Sequence, residues 1–310
     1  MTGTFSFKIV ALTALAFGIC AQSAMAQTTE DCPTDYFAVR SDFNDLGPFS
    51  CPLTRSHAQG ALLSETYNAL TGQNSASLDG LVAAVHTFPA DKNNIFLGMA
   101  AGVFVQGDLT YQFQPTHTQA WTSDTVTSGA FAQFGFANSK IETGFDYFRI
   151  RGGEIDASTG SRSMTFVGEW LPSYGPLIGK QRDFGLITVY PSPEVMVQYD
   201  DFLGGANKPA LFSSHDSALR IGPQLLVQSW FTKPNGKEPF PDDWLYKISS
   251  LITLHEAVDA YTGRNYRWAA VSLTYNIAEY LGVSASYGYG NSEQTGALTS
   301  QAKLGLSGKF

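Results

Sequence analysis

From about Val103 to the last residue, apolar and polar side chains exchange places at every second position, and that period commits a chain to strands. In the final stretch Leu298, Ala302, Leu304, Leu306 and Phe310 share one face, while Thr299, Gln301, Lys303, Ser307 and Lys309 share the other. The cleanest alternation sets Leu281, Val283, Ala285, Tyr287 and Tyr289 against Gly282, Ser284, Ser286, Gly288 and Gly290. Comparable runs surround Val103–Phe113, Ala130–Phe136, Ile141–Tyr147, Met164–Trp170, Leu219–Val227, Trp244–Leu254 and Ala269–Tyr275. The phase slips after Tyr147, which suggests a β-bulge. Phe184–Tyr190 and Val195–Tyr199 read as two strands separated by a turn at Pro191-Ser192-Pro193.

Such alternation fits a soluble β-sandwich or a membrane barrel. Many runs approach the roughly 10 residues a tilted strand needs to cross a bilayer, against about 5–6 for an ordinary strand. Charged residues are 15% of the chain, against about 25% in soluble domains. Trp244, Tyr246, Tyr266, Trp268, Tyr280 and Tyr289 fall at strand ends, where interfacial aromatic girdles lie. The terminal aromatic Phe310, preceded by Leu306, Leu304 and Ala302 at every second position, resembles the closing strand of bacterial outer-membrane β-barrel proteins. Gly308 departs from that pattern, which usually has a larger apolar residue there. The resemblance is to porin-like barrels and implies that Leu304, Leu306 and Phe310 are the signal read by the barrel assembly machinery. The fold expected is all-β, an antiparallel transmembrane barrel of 10 to 12 strands, with 12 preferred because bacterial barrels usually have even counts. It would occupy residues 95–310. If the Phe310 end is periplasmic, this count puts Asn138-Ser139-Lys140 at the opposite end and the Thr232–Asp243 connection at the same end.

Residues 1–26 read as a secretory signal peptide: Lys8, an apolar run Ile9–Ile19 and the small-x-small site Ala24-Met25-Ala26. Cys20 is expected to leave with it, since Phe17-Gly18-Ile19 is unlike the approach to a lipidated cysteine. In an exported chain the remaining Cys32 and Cys51 are most simply a disulfide, and two thiolates alone do not complete a zinc shell. Residues 27–94 look like a leader that is a plug, a small periplasmic segment or poorly ordered chain. Leu62, Leu63, Tyr67 and Leu70 lie at helical spacing before Gly72, so a helix is predicted over 54–71. A helix ahead of twelve strands also resembles the translocator domain of autotransporters, although no passenger is evident.

Nineteen Lys and Arg against 27 Asp and Glu leave no basic surface for nucleic acid. No cofactor or metal motif is present. His255-Glu256 begins a His-Glu-x-x-His motif, but Asp259 replaces the second His, and on a strand the first pair points to opposite faces. Ser213, Ser214, His215 and Asp216 are the other candidates for a rim-active enzyme; the reading preferred is that the chain is not an enzyme. What remains is the lumen. Glu142, Asp146, Glu169, Asp200, Arg220, Gln224, Gln228, Lys247 and His255 are expected to face inward, with Gln198, Thr253 and Lys303 beside them. They would either pair in a filled interior or tune a channel for small polar solutes across the outer membrane of a Gram-negative bacterium. The rival is a surface anchor acting through Pro172–Arg182, Phe202–Ser217 and Asn291–Ala297.

Overall fold

The computed structural model describes residues 35–41, 43, 60–70, 72–88, 96–112, 120–121, 125–138, 144–157, 160–174, 178–179, 182–205, 208–231, 244–278, 280–291 and 296–308. The strands are β1 (Asp35–Arg40), β2 (Ala61–Asn68), β3 (Gln73–Phe88), β4 (Phe96–Gln112), β5 (Ala120–Trp121), β6 (Thr125–Asn138), β7 (Gly144–Ala157) and β8 (Arg162–Ser173). They continue as β9 (Arg182–Asp183), β10 (Ile187–Gly204), β11 (Ser217–Phe231), β12 (Ile248–Asp259), β13 (Asn265–Ala278), β14 (Leu281–Asn291) and β15 (Leu298–Gly308). Every pairing is antiparallel between near neighbours in sequence, and β15 returns to pair with β2, Gly308 opposite Ala61 and Gln301 opposite Asn68. Because β2 also pairs with β3, the sheet closes into a twelve-stave barrel of β2, β3, β4, β6, β7, β8 and β10 to β15. Closure leaves no open edge among the staves and removes the sandwich alternative.

Two of the twelve staves, β2 and β3, come from the segment expected to be a leader. Residues 61–68 form a strand rather than a helix, and β2 and β3 place the start of the barrel well before residue 95. Ladder partners decide this: β2 is hydrogen-bonded on both edges, to β15 and to β3, whereas an isolated helix of its length would be marginal. Strand β1 lies on the same edge of β3 as β2 and runs in the same direction, spanning Leu81–His86 where β2 spans Gln73–Asp79. Together β1 and β2 make one interrupted stave.

Two further expectations change. Strand β10 runs unbroken through Pro191-Ser192-Pro193. It pairs with β11 throughout, but on its other edge β8 begins only at Val195 and β9 reaches only Thr188 and Val189. Prolines between those points therefore forfeit no ladder bond on that edge. Strand β7 shows no bulge; its registers with β6 and β8 are continuous. The apparent slip arises because Tyr147 faces inward while Phe148 and Ile150 face outward, exposed by 41% and 52%.

The hairpins have local causes. At the β12–β13 turn the Asp259 carboxylate accepts the Tyr261 N–H at 3.1 Å and the Thr262 hydroxyl at 2.6 Å, and Gly263 takes the φ of 70° that the turn needs. Strand β15 ends at one mouth, called here the C-terminal mouth. The connection between β6 and β7 opens at that mouth, not at the opposite one, as does the β11–β12 connection; the count changes because the two strands expected at 184–190 and 195–199 are the single strand β10. The β8–β10 connection also lies there, while the β10–β11 and β14–β15 connections lie at the far mouth.

The two faces of the wall differ sharply. Val103, Val105, Phe166, Val197, Ile221, Leu254, Val271, Leu273, Leu304 and Leu306 all point outward and are 41–61% exposed. Most outward charges lie near strand ends, Glu154 and Asp156 with Arg162, and Glu256 with Arg267 at 2.7 Å, but Glu65 faces outward in mid-strand, opposite Leu304. An apolar belt of this extent does not persist against water.

Candidate functional site

Side chains facing the lumen divide it into two unlike halves. On one side, β7, β8, β10 and β11 present long charged residues that pair with each other. Arg149 binds Glu169 and lies 3.6 Å from Glu194, and Arg151 lies 3.7 Å from Glu169. Ser192 and Gln224 donate to Glu194, each at 3.5 Å. Nearer the far mouth, Arg220 meets Asp200 at 2.9 Å, and Gln198 donates to Asp200 at 3.0 Å and to Thr165 at 3.3 Å. These charges are almost fully buried, so their desolvation is offset only because each carboxylate has a cation or donor beside it.

On the other side the staves carry small hydroxyl residues and glycine. Ser64, Thr66 and Ser77 form one hydroxyl cluster at 2.7–3.5 Å, and Thr274 bonds Ser284 at 2.7 Å. Lys303 projects from this wall to Asp79 at 2.8 Å. Asp108 stands directly opposite Asp79 across β3 and β4, so one ammonium serves two like charges. Short side chains here and long ones opposite leave an off-centre cavity of about 370 Å³, bordered by Asp79, Asp108, Arg151, Gln224, His255, Trp268, Ser286, Gln301 and Lys303.

Two apolar groups narrow the lumen. Phe43, just past β1, is completely buried; its ring meets Phe104 and Phe131 edge-on, with centroids 5.2 and 5.0 Å away. The guanidinium groups of Arg149 and Arg151 lie 5.1 and 4.9 Å from the same ring. At the far mouth the 3-10 turn Ala210–Phe212 folds inward, burying Leu211 and Phe212 against Ala218 and Tyr266, with Phe202 alongside.

Of the residues expected to line the lumen, Glu169, Asp200, Arg220 and Gln224 are buried and inward, and Gln228 and His255 are inward and half-buried. Asp146 is on the outer face instead, accepting from Trp170 Nε1 at 2.8 Å and from the Tyr174 hydroxyl. It shares the phase of Phe148, because the apolar residue that turns inward is Tyr147. Lys247 is not on a stave: it ends the 3-10 turn Trp244–Lys247 at the C-terminal mouth, and its carbonyl accepts from Asn276 at 3.0 Å. Tyr266 and Trp268, expected in a girdle, face the lumen. Leu304 and Leu306 face outward. Glu142, Cys32, Cys51, Phe310 and the signal region lie outside the described residues.

Sequence reading missed Arg149, Arg151, Glu194 and Phe43. The two arginines alternate with Phe148 and Ile150, and an outward apolar pair was enough to place them inward. Phe43 carries no periodic signal. His255 and Glu256 point to opposite faces, and Asp216, next to exposed His215, pairs with Lys208 at 2.7 Å.

No protein-family model and no curated protein matches the chain. It is similar to the autotransporter NalP translocator domain from Neisseria meningitidis at 14% identity and a TM-score of 0.31, covering 100% of this chain and 98% of that one. It is also similar to an outer membrane channel from Pseudomonas putida F1 at 8% identity and 0.42, covering 93% and 100%. A Rhodopseudomonas blastica porin follows at 10% and 0.26, covering 81% and 98%. These are all bacterial barrels, but at such scores they carry no weight here, and the fold rests on the chain's own strand pairing.

Proposed function

We propose that this chain is an outer-membrane β-barrel of a Gram-negative bacterium, delivered by a cleaved signal peptide, and that small polar solutes pass along the hydroxyl-lined side of its lumen. One observation carries the reading: a cavity of about 370 Å³, lined by polar and apolar side chains together, inside a closed wall whose outer surface is apolar. The belt supports a bilayer as surroundings, since lipid-facing residues must be apolar while the interior stays polar. The buried ion pairs support a rigid wall, and the small-residue side borders a space into which a solute fits. Twelve staves lie between the roughly eight that side chains fill and the 16 to 18 that leave a wide aqueous channel, so the passage is narrow. A surface anchor is less well supported, because the Ala210–Phe212 turn buries its apolar side chains inward rather than presenting them to a partner.

The test is single-channel recording from the refolded protein in a planar bilayer. Discrete, reproducible steps are expected. A folded barrel that stays silent across voltage and salt refutes the passage.

A further inference from the structure

We infer that the lumen cavity is a binding site for a neutral polyhydroxylated solute, a mono- or disaccharide, that stacks on Trp268. This rests on the passage reading above and specifies what passes. Trp268 borders the cavity, and its six-membered ring leans so closely over Gly288 that an added Cβ would lie 2.5 Å from Cζ2 and 2.6 Å from Cη2. Only glycine leaves room for the indole along that wall. In register beside it stand His255 and Gln224, on the adjacent β12 and β11, and Gln301 faces Gly288 from β15. A flat aromatic surface is thus ringed by amide and imidazole groups, all bordering one cavity.

The chemistry of that arrangement selects its ligand. The face of an indole is negative and attracts the weakly positive C–H face of a sugar ring, whose hydroxyls then point sideways toward donors and acceptors. An apolar ligand would offer no hydrogen bond to the Gln301 amide or the His255 ring that border the same space. A small ion fits poorly for a different reason: Lys303 already holds Asp79 at 2.8 Å, and Arg151 lies 3.7 Å from Glu169. Paired charges still offer hydrogen-bonding atoms to hydroxyls. A cavity of about 370 Å³ is at the lower end of the roughly 300–1,000 Å³ typical of small-molecule sites.

The experiment uses the full folded barrel with glucose and maltose as probes, recording single-channel current in planar bilayers and heat of binding in detergent. Maltose is expected to interrupt the current reversibly and to bind saturably. Trp268→Ala should raise both the half-blocking concentration and the dissociation constant roughly tenfold, while Trp268→Phe, which keeps an aromatic face, should raise them far less. If Trp268→Ala does not fold, Gln301→Ala should weaken binding severalfold in its place. A conducting channel that neither sugar blocks or binds overturns this inference and leaves the passage standing. Saturable, Trp268-dependent binding to a silent barrel upholds the site and refutes the passage. A silent barrel that binds neither sugar refutes both.

Discussion

Replacing Arg220 by Met isolates a buried carboxylate inside the barrel. Arg220 and Asp200 are 1% and 2% exposed at the side chain, and they meet at 2.9 Å across β10 and β11. Asp200 otherwise receives the Gln198 amide at 3.0 Å. Two unit charges about 4 Å apart at an effective dielectric near 20 attract by about 4 kcal/mol. Removing one partner of a buried pair costs about 3–5 kcal/mol, because the other charge stays out of water. The lost contact with the Tyr266 ring, 5.5 Å from the guanidinium carbon, adds about 0.5–1 kcal/mol. Arg220→Met should therefore lose about 4 kcal/mol of stability. The double variant Arg220→Met/Asp200→Leu should recover most of it, since no charge remains to be solvated. Reversible urea unfolding from lipid vesicles, followed by tryptophan fluorescence and analysed as a double-mutant cycle, measures both. A single variant that costs less than about 1 kcal/mol, or a double variant no better than the single, would refute the argument that pairing, rather than packing, holds this wall.

Other perturbations probe other parts of the barrel. Phe43→Ala deletes a fully buried ring wedged between Phe104 and Phe131, so it should cost about 3–5 kcal/mol in urea unfolding and enlarge the single-channel step. An unchanged step would place Phe43 away from the solute path. Leu273→Arg sets a cation in the middle of the apolar belt and should cost about 2–4 kcal/mol when folding into vesicles is measured, whereas Ser272→Ala on the opposite face should cost far less. Equal effects would mean the belt does not meet lipid. Gly263→Ala forces a side chain onto a φ of 70° and should destabilise by about 1 kcal/mol in the same unfolding assay; no change would mean the turn relaxes at no cost.

Much of this architecture was legible because it repeats. Leu219 and Ile221 outward require Arg220 inward, and the same parity places Glu169, Asp200 and Gln224 in the lumen. Reading failed where apolar did not mean outward. Tyr147 turns in, which carries Asp146 to the outer face, and Trp268 lines the cavity instead of a girdle. It failed again where a local pattern competed with a distant partner. Leu62, Leu63, Tyr67 and Leu70 keep helical spacing, yet the strand from Ala61 to Asn68 is held by β15, whose residues lie more than 230 positions later in the chain. Prolines 191 and 193 looked like a break because sequence does not say which edge of a strand lacks a ladder.

Alternation at period two is enough to set the class of fold: it makes strands with one apolar face, and enough long ones need a lipid-like exterior and a polar interior. Tertiary structure decided which segment closes the ring, which charges pair, and where space remains. Those depend on register and on side chains meeting across the lumen, such as Arg149 with Glu169, the Trp268 ring over Gly288 and Phe43 among three staves. Such contacts form between residues far apart in the chain, and no local pattern records them.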